Sequence, residues 1–476
     1  MQILESPRAS HATETCYYTG SYDPLATFRR LRDVGALGSH AYLHLTADRA
    51  EIGWAPLARL RLLDGAPAPD WRARLQAFAD DAAALDRMAY GYVGFDAIDQ
   101  PTGTLPDYSE SGWPLVEFII PGETVTFTGR TVVHRGQGDL DLARYLAAAE
   151  PARPSGPGAA LEPTAYVPGG RYADAVARAT EALKAGEARK VVLARYQAYD
   201  VRYDPVDLFA NYCLTQAYAD AFLVCFGDLA AVVASPEVLL AVGDSAVELN
   251  PLAGTRPRGA TPEEDERLRE ELRYHAKELA EHVLSVTTQL AELEPVCAPG
   301  SLVVSRLLDV CLQAKVQHLS SIMTGRLAAD HTALEALWTL FPSVTVSGLP
   351  KADALPLLRR LECQPRGLYA GAFGWVRGRR DGRFSLAIRS IFRYGARTFL
   401  QAGAGIMPDS VPAAELAETA HKLRAMESAL AQTATRSADE HPAALTGTTE
   451  SALAETAARS ADQRPAALAG AIEGIA

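Results

Sequence analysis

Basic residues are in deficit. The 476-residue chain carries 46 Lys and Arg against 58 Asp and Glu, a formal charge of −12. It therefore lacks the electropositive footprint that nucleic acid demands. A small anionic substrate is still compatible, because a local group of Lys and Arg overrides the global sign. Long apolar runs are missing too. Runs such as 230–234 and 238–242 fall far short of the ~20 residues needed to span a bilayer. The opening Met1-Gln-Ile-Leu-Glu-Ser-Pro-Arg8 has neither the basic nor the apolar region of a signal peptide. Cysteine is sparse: Cys16, Cys213, Cys225, Cys297, Cys311 and Cys363 are scattered with no C-x-x-C pair. That argues against a disulfide framework or a zinc site and for thiols in a reducing cytoplasm. What remains, 48% hydrophobic and 22% charged, is the composition of a soluble globular protein.

The length allows two to four domains. Residues 41–45 and 50–54, separated by a polar turn, read as a β-hairpin. Helical spacing predicts helices over 71–87, 140–149, 170–186, 262–293, 332–340, 352–361 and 413–432. Strands are expected at 89–95, 115–120, 124–135, 190–195, 221–226, 230–234, 238–242, 246–249, 316–322, 368–376, 383–392 and 398–404, with Pro121-Gly-Glu123 as the turn between the second and third segments named. Tyr90-Gly-Tyr-Val-Gly-Phe95 and Tyr369-Ala-Gly-Ala-Phe-Gly-Trp-Val376 are loosely similar strands. The expected class is α+β with large, mostly antiparallel sheets. Three prolines and two glycines within 151–158 mark a connection. The partition is an N-terminal part of the fold over 1–150, that Pro/Gly-rich connection over 151–165, a catalytic part over 166–432 and a tail over 433–476. In the tail Arg436-Ser-Ala-Asp-Glu-His-Pro-Ala-Ala-Leu445 returns as Arg459-Ser-Ala-Asp-Gln-Arg-Pro-Ala-Ala-Leu468. It has too few large apolar residues for a core of its own and is expected to be disordered.

Asn250 to His282 is the stretch around which the chemistry gathers. Asn250-Pro-Leu-Ala-Gly-Thr-Arg-Pro-Arg-Gly259 is a Gly/Pro-bounded loop able to turn backbone N–H groups and Thr255, Arg256 and Arg258 towards an anion. The helix beyond it carries Glu278 and Glu281 on one face. Glu415 and Glu418 repeat the spacing near the chain's end. Two such helices face to face would offer four carboxylates, a hard-oxygen set suited to Mg²⁺. Either pair alone is more simply a solvated helix surface.

The motifs Lys190-Val-Val-Leu-Ala-Arg195, Ser235-Pro-Glu237, Pro251-Leu-Ala-Gly-Thr-Arg256, Val316-Gln-His-Leu-Ser320, Thr345-Val-Ser-Gly-Leu-Pro-Lys351, Arg366-Gly-Leu-Tyr-Ala-Gly371, Ala387-Ile-Arg389, Ala402-Gly-Ala-Gly405 and Glu415-x-x-Glu418 occur in the order found in chorismate-utilising enzymes. From about Tyr172 to Met426 the chain resembles that family, which includes anthranilate, aminodeoxychorismate, isochorismate and salicylate synthases. The resemblance implies two antiparallel sheets packed together, helices outside and an active-site cleft. It implies Glu237 as general acid and Lys190 as general base on opposite faces of the chorismate ring. It implies Mg²⁺ bound directly by Glu281 and Glu418, with Glu278 and Glu415 acting through water. Arg389 and Tyr369 would grip the enolpyruvyl carboxylate. Gly403 and Gly405 would let backbone N–H groups approach it. Thr345 would join the substrate pocket, Lys422, Gly254 and Thr255 would complete the anion cradle, and His318 would lie near the departing hydroxyl. Singly, each has a bland reading: Lys190 as a strand-edge charge, Glu237 as solvated, His318 as a core histidine.

Within the family, ammonia-using members usually carry Gln where this chain has Lys190, whereas water needs a base. Ala253 occupies the place of a nucleophilic lysine of aminodeoxychorismate synthases. The Val316-Gln-His-Leu-Ser-Ser321 string and Thr345–Lys351 resemble salicylate synthases, which carry the intermediate on to pyruvate elimination. Against that, salicylate synthases usually have Glu at Asn250, and Pro257-Arg-Gly259 and the Thr345-Val-Ser-Gly348 string also occur in anthranilate synthases. The leading expectation is a salicylate synthase serving siderophore or other secondary metabolism. Behind it stand an isochorismate synthase and an aminating enzyme served by a separate glutaminase subunit or free ammonia. A catalytically dead relative is the remaining alternative, disfavoured by the intact Lys190, Glu237, Glu281 and Glu418. A monomer or dimer is expected.

Overall fold

The computed structural model describes residues 2–3, 14–63, 70–97, 114–137, 140–148, 161–312, 316–362 and 364–434. These lie within the compact unit Met1–Ala434. Residues 435–476 of the expected tail, 151–160 of the expected connection and Cys363 lie outside the described residues. No described helix is long and apolar enough to cross a membrane.

Strand ladders among the described residues are antiparallel, and hydrogen bonds connect them into one network. The network has two parts. In the first, Lys190–Tyr199, Arg397–Ile406, Ser390–Tyr394, Leu229–Ser235, Asp220–Phe226 and His40–Leu45 follow one another as neighbours. In the second, Ala89–Val93, Ala372–Arg377, Asp381–Leu386, Val238–Gly243, Ala246–Leu249 and Val316–Arg326 do the same. Leu252–Pro257 and Val303–Leu312 then flank Val316–Arg326. Two 15-residue strands, Arg49–Leu63 and Pro114–Thr128, pass through both parts and join them. Their ladder slips where Pro56 faces Pro121, and Ala55 there takes a φ of 50°. A bulge with prolines bends a strand without ending it, so both strands turn the corner from sheet to sheet. The expected turn at Pro121-Gly-Glu123 is therefore a corner inside one strand. The chain reverses later, at Gly129-Arg130, between Pro114–Thr128 and Thr131–Gly136.

Residues pointing alternately to the two faces of the first sheet build two cores. Phe222 and Phe392 face the second sheet and meet Phe373, with ring centroids 6.1 and 6.0 Å away; Tyr92 stacks on Phe373 at 5.1 Å. Leu223, Val232 and Ile391 face outwards, under the helices Pro24–Asp33, Pro205–Tyr212 and Pro412–Thr433. The first two of these helices start with an Asp cap, Asp23 or Asp204, followed by proline. The cap satisfies a free N–H, and the proline lacks one. A third cluster lies between Gly169–Lys184, Lys351–Leu361 and the strand Lys190–Tyr199.

Several expected elements differ. The helix over 262–293 is two, Pro262–Tyr274 and Ala276–Leu293, broken at His275, which leaves helical backbone (ψ 107°) and caps the second with its side chain. The helix over 140–149 is only the turn Leu142–Arg144. The strand over 383–392 is interrupted by Arg389 at φ 53°. The strand at 368–376 begins at Ala372, after a turn at 367–370. The helix Pro205–Tyr212 and the strands Leu252–Pro257 and Val303–Leu312 have no counterpart in the periodicity reading.

Candidate active site

Two neighbouring segments cross from the first sheet to the second. One is Ser235-Pro-Glu237; the other, running the opposite way, is Ala387-Ile-Arg389. They are tied together: Ala234 N–H donates to Arg389 O and Leu386 N–H to Glu237 O, both at 3.1 Å. The sheets part there, and a cavity of about 530 Å³ opens. Apart from Lys190, Glu415 and Arg258, the last of which pairs with Asp265 instead, every candidate site residue named from the sequence lines it.

Glu237 is wholly enclosed. Its Oε1 accepts from Thr345 Oγ1 at 3.0 Å. Burial pushes its carboxyl up to about 8, although Thr345 and Lys190 pull the other way. At neutral pH the group therefore holds its proton. Lys190 is 1% exposed, and its Nζ lies 2.7 Å from Glu281 Oε1. Burial alone would raise Glu281; Lys190, Lys422 and Lys277 outweigh it and hold this carboxylate below the usual range. Gly405 leaves the room Glu281 needs, since a Cβ there would come within 2.6 Å of its Oε1.

Around the rest of the cavity, His318 Nδ1 is 3.1 Å from Gly254 O and from Thr255 Oγ1. An Nδ1–H donated to that carbonyl leaves Nε2 as the acceptor nitrogen. Burial lowers this histidine, so the ring is neutral at pH 7. Gly254 has a φ of +55°, and a Cβ would meet Leu272 at 2.7 Å. The predicted anion loop thus continues as a short strand held against the first acidic helix. Tyr369 is buried, which pushes its phenol up to about 12 and keeps it a donor. Lys422 Nζ donates to Gly403 O at 2.8 Å and to Glu418 Oε1 at 2.7 Å.

The four carboxylates do not stand as the sequence suggested. Glu278, Glu281 and Glu418 line the cavity; Glu415 does not. Glu415 is buried, with Oε1 2.9 Å from Lys277 Nζ and Oε2 without a hydrogen-bond partner. Glu281, Glu415 and Glu418 each pair with a lysine, and no three acidic, His or Cys side chains among the described residues converge as a ligand cluster. The donor chemistry still fits a hard divalent cation: the cavity carries carboxylates from two helices, Glu278 and Glu281 from one and Glu418 from the other.

The sequence profile of the chorismate binding enzymes matches residues 35–428. The chain belongs to this family. Among its relatives, the anthranilate synthase component 1 of Streptomyces coelicolor is 41% identical over 288 residues, 60% of this chain and 56% of that one. The chain thus spans little more than half the length of that relative. The anthranilate synthase component 1 of Saccharolobus solfataricus is 33% identical over 71% of this chain and 80% of its own. The salicylate synthase of Mycolicibacterium paratuberculosis is 38% identical over 258 residues, 53% and 56% of the two chains. The fold matches the menaquinone-specific isochorismate synthase of Escherichia coli at a TM-score of 0.69 and 21% identity, covering 90% of this chain and 96% of that one.

Lys277, Arg256 and Gln401 also line the cavity, and Arg366 stands behind it. Lys277 precedes Glu278 by one residue and turns to Glu415. Arg256 Nη1 approaches Glu278 Oε1 at 3.6 Å. Gln401 donates to Arg366 O at 3.1 Å. Arg366 is fully buried and bridges Val192 O at 2.5 Å and Val346 O at 2.6 Å, so it ties the Lys190 strand to the Thr345 loop. The signal for Arg366 was present in its motif; those for Lys277 and Gln401 are visible only in three dimensions.

Proposed function

We propose that the protein adds water to chorismate and carries the resulting isochorismate on to salicylate and pyruvate. The supporting observation is that one site holds both a buried lysine, Lys190, whose Nζ pairs with Glu281, and a proton-bearing carboxyl, Glu237, at the sheet crossing. Chorismate must lose its C4 hydroxyl while oxygen adds at C2. Glu237 gives its proton to the departing hydroxyl, which leaves as water. Lys190 serves as the base for the incoming water, and Glu281, 2.7 Å away, orients its Nζ. Arg389 and Tyr369 orient the enolpyruvyl carboxylate, and Thr255 and His318 face the ring. Pyruvate elimination then requires chiefly that the intermediate be held in reactive shape. Mg²⁺, held directly by Glu281 and Glu418 and through water by Glu278, would supply positive charge to the ring carboxylate. Chelation is expected to abolish turnover, and Mg²⁺ to restore it.

Lys190→Gln tests the base directly. Without ammonium, turnover should fall by roughly 10²-fold or more. Undiminished turnover would remove Lys190 from the mechanism.

A second reading is amination. Its support is the anthranilate synthase component 1 relatives together with Asn250, whose Oδ1 accepts from Ser320 Oγ at 2.8 Å. On that reading ammonia comes free or from a glutaminase subunit, and chorismate consumption requires it.

A further inference from the structure

Thr345 does not reach Glu237 unaided. Behind it stands Ser343, completely buried, with Oγ 2.8 Å from Thr345 Oγ1. Ser343 Oγ also accepts from Gln289 Nε2 at 3.4 Å and from the Thr345 backbone N–H at 3.3 Å. A hydroxyl has two lone pairs and one proton. With the Gln289 amide nitrogen and the Thr345 N–H both donating to it, the Ser343 proton is left for Thr345 Oγ1. Thr345, now an acceptor on that side, sends its own proton to Glu237 Oε1 at 3.0 Å. The Ser343 backbone is held in place, because its carbonyl accepts from Ser347 Oγ at 2.7 Å and from the N–H groups of Val346 and Ser347.

We infer that Gln289, Ser343 and Thr345 form a one-way hydrogen-bond relay that decides which oxygen of the Glu237 carboxyl gives up the proton. Oε1 accepts from Thr345, so Oε1 is the carbonyl-type oxygen and Oε2 carries the proton for the leaving hydroxyl. Gln289 lies on Ala276–Leu293, eight residues beyond Glu281, so the relay also sets the proton donor's orientation from the helix that carries Glu278 and Glu281. Gln289 and Ser343 are positioning residues; neither lines the cavity. The inference rests on Glu237 being the proton donor.

Thr345 donates to the form of Glu237 that bears charge, and a hydroxyl that is itself given a proton donates more strongly. Removing Ser343's hydroxyl therefore weakens the support of the ionised carboxyl. The test is the pH profile of kcat/KM for chorismate consumption by the full chain. In Ser343→Ala the alkaline limb should move to higher pH and kcat should fall severalfold, with KM changed by less than about twofold. Gln289→Leu should shift the limb in the same direction by less, and Ser343→Thr, which keeps the hydroxyl, should restore the parent profile. Glu237→Gln separates the two levels. If the limb persists in Glu237→Gln, the acid assignment is wrong. If the limb vanishes there but stays unmoved in both Ser343→Ala and Gln289→Leu, the relay is wrong and the acid assignment stands.

Discussion

The chemistry of Glu237 follows from where it sits. It closes Ser235-Pro-Glu237 at the sheet crossing, buried, with one hydroxyl donor and Lys190's charge as its relief. Its folded value of about 8 lies above the ordinary carboxyl value of 4.5. The folded state therefore binds this proton more tightly than the unfolded chain does. Stability from the neutral form is complete below pH 4.5 and is lost as pH rises through about 8. The same sign governs catalysis: kcat/KM should decline above pH 8 as the donor ionises. Glu237→Gln should lower kcat by roughly 10²–10⁴-fold and flatten that limb. At this scale the motifs told most of what the site contains, because ordered polar residues in Gly-bounded segments carry chemistry that packing alone would not select. Ser343 and Gln289 were not legible. Their meaning lies in hydrogen bonds across 54 positions of sequence, which no spacing rule encodes.

At the scale of elements, glycine and helix ends decide the geometry. Gly405 lies in Arg397–Ile406 beside the helix Ala276–Leu293, close enough that Glu281 occupies the place of a missing Cβ. Gly405→Ala should leave the fold intact, since a flexible carboxylate can move aside. It should nonetheless cost roughly 10²-fold in turnover, because displacement of about 1 Å at a reacting group has that effect. Circular dichroism and kcat measured on one preparation check both parts; a displaced Glu281 with full activity would remove it from the mechanism. Helices with strong caps were readable in outline, as with 332–340 and its Thr332/Glu335 capping box. The break at His275 was not readable, since 262–293 keeps an unbroken charged and apolar period through it. Leu252–Pro257 was read as loop because of its glycine and prolines, yet it pairs with Val316–Arg326 across a bulge.

For the whole molecule, the site exists because two sheets joined by bent strands separate at one edge. The α+β class and antiparallel pairing were legible from alternating runs and short connections. The order of strands was not, because neighbours lie far apart in sequence: Ala89–Val93 pairs with Ala372–Arg377. The loose similarity of those two segments was a trace of this, and Gly91 stands opposite Gly374. Phe373, between the sheets, should matter for stability more than chemistry. Phe373→Ala should cost about 3–5 kcal/mol, seen as a lower urea midpoint; an unchanged midpoint would mean that the sheets do not rely on this contact.

Water as the nucleophile is tested most directly by product analysis. The purified protein should be incubated with chorismate and Mg²⁺, with and without ammonium, and the products identified by chromatography and mass. Salicylate and pyruvate, formed equally well without ammonium, are the predicted result. An aminated product that appears only with ammonium would contradict it and make Asn250, not Lys190, the residue that marks the reaction.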